Sequence, residues 1–407
     1  MAGAFFTPKQ YAYWNNANHR WNIKFGATRS GKTFLDYYML PKRIRGTKGD
    51  GLTVILGTTQ ATIERNLLQP MRQMYGQALV PESIAIDGGI KLFGKDVYII
   101  GAEKRTQVSK IQGQGIEYAY GDEITTWSHE VWQMLTTRLD KPHSRFDGTC
   151  NPTTPTHWLK QFIDNPELDV YAQQYRITDN TKLHPDVITA MKAELAGTVY
   201  YHRFINGEWT AAEGVVYPNF DADKFVVPTK DRNYSRYVVS IDYGTNHPCV
   251  FGLFGYMPAE DRWYMVREYY HNGAQERQKT VGEYYRDLQT FTGGLDISKV
   301  YLDNAPIASS FNIYLRKQGD YSSRLADNAV EAGIQSVATA LNKGKIYFND
   351  CCKNTIREFS GYRWNEKADS DKPIKEDDDC MDMLRYFIHT HRVGHVPLQT
   401  LSQIYGI

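Results

Sequence analysis

Short apolar runs alternate with longer amphipathic stretches between Trp21 and Cys150. Runs such as WNIKF, LTVILG and KDVYIIG have the length and the β-branched or aromatic content of buried strands. The stretches GKTFLDYYML and ATIERNLLQPMRQMY have the length and spacing of helices. This strand–helix alternation predicts βαβ units on a mostly parallel sheet.

A second α/β region follows a segment without periodicity. Residues 211–233 contain two prolines and scattered charge, and we predict that they link two domains, residues 1–210 and 234–407. The runs RYVVSID, CVFGLFGY and RWYMVREYY then predict three successive strands. A helix from Gln275 to about Thr290 and the strand KVYLDN complete the prediction for this region.

Composition excludes several classes of protein. The 407 residues are 42% hydrophobic and 23% charged, as in globular proteins with two or three domains. No apolar run reaches the roughly 18–20 residues of a membrane span, and MAGAFFTPKQ lacks the features of a secretion signal. We therefore expect no membrane partner and a protein that stays in the cytoplasm. Five cysteines without a C-x-x-C pair disfavour a disulfide framework and a zinc site.

The net charge of +1 first argues against a nucleic-acid partner, which a basic excess usually indicates. Residues 1–210, however, carry 24 basic against 20 acidic side chains, whereas residues 211–407 carry 23 against 26. If the acids of the second half surround divalent ions, the near-neutral total does not exclude a DNA partner.

A glycine-rich segment between the first predicted strand and helix fits the pattern G-x-x-x-x-G-K-[ST]. In such a loop, backbone N–H groups cradle phosphates at the positive end of the helix. Lys32 would reach the β- and γ-phosphates, and the Thr33 hydroxyl would bind Mg²⁺. The predicted ATP-binding residues of the loop are Gly26, Ala27, Thr28, Arg29, Ser30, Gly31, Lys32 and Thr33.

Hydrolysis requires further charged residues near the loop. Asp122 and Glu123 follow a mixed strand, where Asp122 would hold Mg²⁺ and Glu123 would polarise the attacking water. A solvated turn is the alternative explanation for this acidic pair. Charge on the transferred phosphoryl group calls for an arginine, supplied either by Arg29 in cis or by Arg138 to a neighbouring subunit. The sequence leaves both arginines open.

Carboxylates of the second half form another candidate site. Asp242 and Asp303 end predicted strands, and Asp382 lies in a helical stretch three residues after Asp379. Strand-end turns and acidic helix starts also have structural explanations. Like charges on one helix face repel, however, so a cation partner explains the cluster better. Phosphodiester hydrolysis by two metal ions needs such converging carboxylates.

In their order along the chain, these segments resemble the large terminase subunit of tailed bacteriophages. Phe6–Gln10 resembles the adenine-recognition element of this family, with Gln10 as the base contact. Thr149–Pro152 resembles the coupling motif, which implies that Thr149 and Asn151 link hydrolysis to domain movement. Tyr201–Trp209 resembles the segment that closes the ATPase domain, and its chemistry alone suggests no role.

The acids of the second half match the same family. The resemblance makes Asp242, Asp303 and Asp382 the metal-binding residues of a nuclease domain. Many relatives carry His where this chain has Asp379, so Asp379 either binds the second metal, tunes the site or caps the helix. Lys375, just before the acids, either contacts phosphate or balances their charge.

The resemblance implies a P-loop ATPase of the ASCE type on a mostly parallel sheet, followed by an RNase H-like mixed α/β nuclease domain. The expected function is ATP-driven movement of double-stranded DNA into a procapsid, with cutting of concatemeric DNA at the start and end of packaging. Expected cofactors are Mg²⁺ with ATP and two divalent ions, Mg²⁺ or Mn²⁺, in the nuclease site.

The expected partners are DNA, the portal protein, the small terminase subunit and further copies of the chain in a ring docked on the portal. The expected location is the cytoplasm of the host cell. Two other functions stay open at this point. A helicase or other P-loop translocase would share the ATPase half without the acids. An NTP-regulated DNA-binding scaffold would use the acids structurally and cut nothing.

Overall fold

The computed structural model describes residues 5–104, 106, 115–245, 247–366 and 371–394, and the chain folds into two α/β units. The first unit comprises Met1–Ala190 and Val199–Ala211, and the second comprises Met191–Thr198 and Ala212–Ile407. Within the described part of the chain, no helix has both the length and the apolar character needed to cross a membrane.

The first unit is built on one sheet with helices around it. Its strands are β1 Trp21–Gly26, β2 Leu52–Gly57, β3 Gly89–Leu92, β4 Lys95–Gly101, β5 Ile116–Gly121, β6 Arg145–Cys150 and β7 Val170–Tyr175. Its helices are α1 Pro8–Asn16, α2 Lys32–Arg45, α3 Gln60–Ile63, α4 Gln69–Tyr75, α5 His129–Arg138, α6 Trp158–Asp164 and α8 Val199–Tyr201. Helix α7, Pro185–Leu195, begins in the first unit and ends in the second. Glu64–Leu68 and His202–Asn206 are π-helical turns.

Strand order in this sheet is β3-β4-β2-β5-β6-β1-β7, and every neighbouring pair is parallel except β3 with β4. The predicted parallel α/β arrangement is therefore confirmed. Strand β6 lies between β1, which leads into the glycine-rich loop, and β5, which leads into the acidic pair. The carboxyl ends of these three strands meet at one edge, where ligands bind in open α/β sheets.

The helix predicted after β2 is interrupted by the first π-helical turn. Pro70 has no N–H group, so it cannot make the bond that a regular helix would form to the carbonyl of Asn66. The hydroxyl of Tyr37 donates to this carbonyl instead, at 3.0 Å. Glu64–Leu68 consequently forms a π-helical turn, which is wider than an α-helical turn, before α4 begins.

A buried ion pair lies under the glycine-rich loop. Lys24 of β1 and Asp36 of α2 are fully buried, with 2.7 Å between Nζ and Oδ1. The hydroxyl of Tyr120, in β5, donates to the other oxygen of Asp36 at 2.9 Å. Burial is the main reason that the pKa of Asp36 is raised to about 6. Three elements around the loop are thus joined by one charged cluster.

Replacing Lys24 with methionine should lower the free energy of unfolding by about 3 kcal/mol, because Asp36 then lacks its buried partner. Urea denaturation at pH 7 measures this loss. The double replacement Lys24→Met with Asp36→Leu should recover most of the stability, since it removes both charges. A single variant as stable as the double variant would contradict the role of the pair.

The second unit contains its own sheet. Its strands are β8 Val226–Val227, β9 Arg236–Asp242, β10 Pro248–Met257, β11 Arg262–Asn272, β12 Ile297–Leu302, β13 Ser323–Leu325 and β14 Ile346–Asn349. Its helices are α9 Ala222–Phe225, α10 Val281–Thr292, α11 Pro306–Gln318, α12 Val330–Asn342, α13 Lys353–Gly361 and α14 Asp379–His391. The strands are ordered β13-β12-β9-β10-β11-β14-β8, with β10 antiparallel to both β9 and β11 and the other pairs parallel.

Two details of this unit differ from the sequence prediction. Residues 211–233, predicted as a linker, contribute α9 and β8, and β8 pairs with β14. The helix predicted from Gln275 begins at Val281, because Thr280 caps it. The Thr280 hydroxyl accepts from the Glu283 N–H, and the Glu283 carboxylate accepts from the Thr280 N–H at 2.8 Å.

All five cysteines lie in the described part of the chain as free thiols. Four of them are buried, and Cys351 is exposed.

Candidate functional sites

The loop Gly26–Thr33 runs from the end of β1 into the first turn of α2. Gly26 has a φ of 141°, and a Cβ atom there would lie 2.0 Å from the carbonyl oxygen of Tyr175, so only glycine fits. A Cβ atom on Gly207 would lie 2.9 Å from the Cα of Gly26. The segment Tyr201–Trp209 therefore packs directly against the loop, which its sequence chemistry did not suggest.

Lys32 turns back across this loop. Its Nζ donates to the carbonyl oxygens of Gly26 and Ala27, at 2.9 and 2.6 Å. It also donates to Oδ1 of Asn151 at 3.1 Å. Lys32 is only 7% exposed, and burial lowers the pKa of its ammonium group to about 8. An ammonium group held by neutral oxygens can exchange them for phosphate oxygens, which bind it more strongly.

Asp122 and Glu123 follow β5 at the same edge of the sheet. The Thr149 hydroxyl, at the end of β6, donates to Oδ1 of Asp122 at 3.0 Å. Burial, and then the charge of Glu123, raise the pKa of Asp122 to about 6. Glu123 is exposed and has a left-handed backbone, with φ of 50°. This sharp turn buries one carboxylate and leaves its neighbour open to solvent.

A cavity of about 400 Å³ lies at this edge of the sheet. Its lining combines basic side chains with carboxylates and hydroxyls, a composition that suits a polyphosphate bound with a divalent ion. Thr33 and Asp122 provide the oxygen ligands that Mg²⁺ prefers. The lining residues are Thr28, Arg29, Lys32, Thr33, Tyr37, Arg65, Asn66, Pro70, Asp122, Glu123, Thr149, Cys150 and Asn151.

Several lining residues escaped the sequence analysis, because four of them lie outside any motif and Cys150 was assigned no role within the Thr149–Pro152 segment. They are Tyr37, Arg65, Asn66, Pro70 and Cys150. The position of Arg65 and Asn66 could have indicated their role, because they follow β2, whose carboxyl end lies beside that of β5 at the ligand-binding edge of the sheet. The strand order that makes this signal useful is not visible in the sequence.

The remaining predicted nucleotide contacts are placed as follows. Gln10 is 4% exposed, and its Nε2 donates to the carbonyl of Gly31 at 2.9 Å, so it braces the loop. The Ser30 hydroxyl donates to the Ala27 carbonyl at 2.7 Å. Arg29 lines the cavity, whereas Arg138 ends α5 and is not among the lining residues.

If the cavity hydrolyses ATP, as the sequence predicts, replacing Thr149 with valine should lower the rate about 10-fold and raise the Mg²⁺ concentration needed for half-maximal rate. The shape is kept, but Asp122 loses the hydrogen bond that orients it. A Mg²⁺ titration of the ATPase rate measures both effects. A serine at this position keeps the hydroxyl and is the matched control. Equal Mg²⁺ requirements for all three proteins would contradict the role of Thr149.

The acids of the second unit come together across two strands and a helix. Strands β9 and β12 are parallel with Ile241 opposite Leu302, which places Asp242 and Asp303 side by side where these strands end. Helix α14 carries Asp382 and is tied to β9 by a hydrogen bond from the Ser240 hydroxyl to the Met383 carbonyl, at 2.8 Å. Burial and the charges of neighbouring acids, led by Asp382, raise the pKa of Asp242 well above its ordinary value.

Two basic side chains bind Asp382. Lys375 Nζ lies 3.0 Å from Oδ2, and the Arg385 guanidinium lies 2.9 Å from Oδ1. Lys375 also bridges to Asp378 at 2.9 Å. Asp379 is the first residue of α14, where a carboxylate favours the helix dipole, and burial is the main reason that its pKa is raised to about 6.

The three predicted nuclease acids do not bring their oxygens within 4.8 Å of one another. In the described part of the chain, this criterion is met by Asp50, Glu117 and His143. These three lie at the opposite end of the first sheet. Nε2 of His143 is 3.1 Å from Asp50 and 3.6 Å from Glu117, so the imidazole bridges two carboxylates in a polar cluster. The all-oxygen donor set of Asp242, Asp303 and Asp382 nevertheless suits Mg²⁺ or Mn²⁺.

The parallel sheet with a glycine-rich loop at its carboxyl edge defines an α/β protein of the phosphate-loop class. Comparisons with known proteins narrow this class. Residues 24–224 match the family model described as terminase large subunit, T4likevirus-type, N-terminal. No curated protein sequence matches the chain significantly.

Solved structures extend the similarity to the second unit. The large terminase of a thermophilic bacteriophage is 33% identical, and the alignment covers 96% of this chain and 100% of that one, with a TM-score of 0.85. The same protein in complex with ATP-γ-S matches with the same identity and coverage and a TM-score of 0.82. Its complex with ADP is also 33% identical, with coverage of 95% and 99% and a TM-score of 0.82. This chain belongs to the large terminase family.

Proposed function

We propose that this chain is the ATP-hydrolysing subunit of a viral DNA-packaging motor. The observation that carries the proposal is the cavity in which Lys32, Asp122 and Asn151 converge beside the glycine-rich loop. The similar large terminase of the thermophilic bacteriophage was solved with ADP and with ATP-γ-S, which supports a nucleotide ligand for this cavity.

In the proposed cycle, the loop N–H groups and Lys32 bind the phosphates of ATP, while Gln10 braces the loop and takes the adenine side. Mg²⁺ held by Thr33 and Asp122 would supply neutralising charge. Glu123, which faces solvent, orients the attacking water and accepts its proton. An arginine stabilises the transferred phosphoryl group, either Arg29 of this chain or Arg138 toward a neighbouring subunit.

Residues at the end of β6 contact groups that would bind the phosphates and the metal ion. Asn151 contacts Lys32, and Thr149 contacts Asp122, so both phosphate-binding and metal-binding groups touch this strand. We propose that loss of the terminal phosphate changes these contacts and is relayed to a surface that grips double-stranded DNA. The motor would work as a ring on the portal protein of the procapsid, with the small terminase subunit as a partner, in the host cell cytoplasm.

A packaging assay tests the motor function. The chain, ATP and procapsids of the same phage should together render linear double-stranded DNA resistant to added nuclease. Protection that needs no procapsid or no ATP would contradict the proposal. Unwinding of the duplex without packaging would favour the helicase alternative, and binding without hydrolysis would favour a scaffold.

A second activity, metal-dependent endonuclease, is proposed for the second unit. The strand order β11-β10-β9-β12-β13, with β10 antiparallel, supports an RNase H-like sheet. The adjacent ends of β9 and β12 favour a shared cation site for Asp242 and Asp303, with Asp382 facing them from α14. Two divalent ions held there would activate water for phosphodiester hydrolysis. This activity would cut concatemeric DNA at the start and end of packaging.

Asp379 retains three possible roles in this site: a ligand of the second metal, a tuning charge or a helix cap. Lys375 and Arg385 each contact one oxygen of Asp382, so a divalent ion bound through both oxygens would either share them with these basic groups or displace them. Plasmid cutting in the presence of Mg²⁺ or Mn²⁺ tests the activity, and absence of any cutting with either metal would contradict it.

A further inference from the structure

The π-helical turn Glu64–Leu68 places two unassigned side chains in the nucleotide cavity. Arg65 and Asn66 line it together, whereas Leu67 and Leu68 are fully buried in the core. Glu64, the preceding residue, is held away by a 2.7 Å ion pair with Arg72 of α4. π-helical turns are rare and occur frequently at functional sites.

Hydrogen bonds hold both the side chain and the backbone of Asn66. Its Oδ1 accepts from Nε of Arg65 at 3.1 Å, which directs its amide NH₂ group elsewhere. The side chain lines the same cavity as the Asp122 carboxylate. Its backbone carbonyl, released by Pro70, accepts from the Tyr37 hydroxyl at 3.0 Å. A side chain so constrained can orient the carboxylate beside it.

Arg65 completes the charge of the cavity. It is an exposed side chain in a lining that also holds Arg29 and Lys32 against Asp122 and Glu123. A bound Mg²⁺·ATP carries a net charge of about −2, so a third cation improves the match. Among the described residues, the guanidinium donates one N–H to Asn66, and its other N–H groups suit phosphate oxygens.

We propose that Arg65 contacts the terminal phosphate of the bound nucleoside triphosphate and that Asn66 is a positioning residue for the metal-binding carboxylate Asp122. This inference rests on the proposed ATPase function. It places a cationic phosphate contact on the helix after β2, in addition to the loop arginine Arg29. The π-helical turn Glu64–Leu68 would then contact both the terminal phosphate, through Arg65, and the metal-binding carboxylate of Asp122, through Asn66.

The test compares Arg65→Gln, Asn66→Ala and wild type, with Arg286→Gln as control. Arg286 is an exposed helical arginine in the second unit. Binding of ATP-γ-S and of ADP is measured with Mg²⁺ present. Arg65→Gln should weaken ATP-γ-S about 10-fold and leave ADP within about twofold, since only the triphosphate carries the contacted group. Equal weakening of both nucleotides, or of neither, would overturn the assignment of Arg65.

Asn66→Ala should raise the Mg²⁺ concentration for half-maximal ATP hydrolysis about 10-fold, and excess Mg²⁺ should restore the rate. A loss of rate that Mg²⁺ does not restore would overturn the positioning role. The variant Lys32→Ala distinguishes failure of the Arg65 assignment from failure of the ATPase proposal. If it abolishes hydrolysis while Arg65→Gln behaves as wild type in every assay, the Arg65 assignment fails and the ATPase proposal stands. If Lys32→Ala hydrolyses ATP like wild type, the ATPase proposal itself fails.

Discussion

Replacing Lys32 with alanine should lower the rate of ATP hydrolysis by at least about 1,000-fold, which equals about 4 kcal/mol of transition-state stabilisation. The ammonium group is buried against Gly26, Ala27 and Asn151, so no solvent cation can take its place in the same geometry. Steady-state phosphate release with saturating Mg²⁺·ATP measures the effect.

Lys42→Ala is the matched control for this variant. Lys42 lies on the same helix, α2, but in its last turn and exposed to solvent. It should retain the hydrolysis rate of wild type. DNA cutting should survive in Lys32→Ala, because the predicted nuclease acids belong to the other unit. Loss of both activities would indicate misfolding, and full ATPase activity in Lys32→Ala would refute the assignment of the loop.

Replacing Asp303 with asparagine should reduce DNA cutting about 1,000-fold while ATP hydrolysis continues unchanged. The replacement keeps the shape and the hydrogen bond from Asn328, at 3.3 Å, but removes the charge that a divalent ion requires. Conversion of supercoiled plasmid to nicked and linear forms, with Mg²⁺ or Mn²⁺, measures the loss.

Asp296→Asn provides an unusually close control, since Asp296 and Asp303 flank the same strand, β12, at opposite ends. Asp296 is exposed, so its loss should not affect cutting. Cutting at the wild-type rate by both Asp303→Asn and Asp296→Asn would contradict the assignment of Asp303 as a metal ligand. Equal loss in both would point to damage to β12 instead of loss of a metal ligand.

The parts of the molecule that depend on local sequence were predictable. The loop Gly26–Thr33 is contiguous, and its flanking strand and helix carry the periodicities that the fold confirms. Boundaries were less certain: the capping interaction between Thr280 and Glu283 moved the start of α10 relative to its apolar pattern. Family membership, suggested by several short motifs in order, is confirmed by the match to the large terminase of the thermophilic bacteriophage.

Contacts between distant segments were not predictable. Arg65 and Asn66 reach the cavity because β2 lies beside β5, and strand order leaves no trace in local periodicity. The contact of Lys375 with Asp382 depends on how the loop before α14 packs, whereas Arg385 pairs with Asp382 three residues away on the same helix, a contact that helical spacing alone allows. Sequence patterns indicate which residues are charged, whereas the fold decides which charges meet.

In the proposed nucleotide cycle, the buried cluster of Lys24, Asp36 and Tyr120 limits which elements can move. It links β1, α2 and β5 under the glycine-rich loop, and separating these elements would leave unpaired charges in the protein interior. We therefore expect β1, α2 and β5 to keep their relative positions during the proposed cycle. Motion in the proposed motor should then involve segments outside the cluster, and the end of β6 and the turn after β2, which both reach the nucleotide cavity, are the candidates.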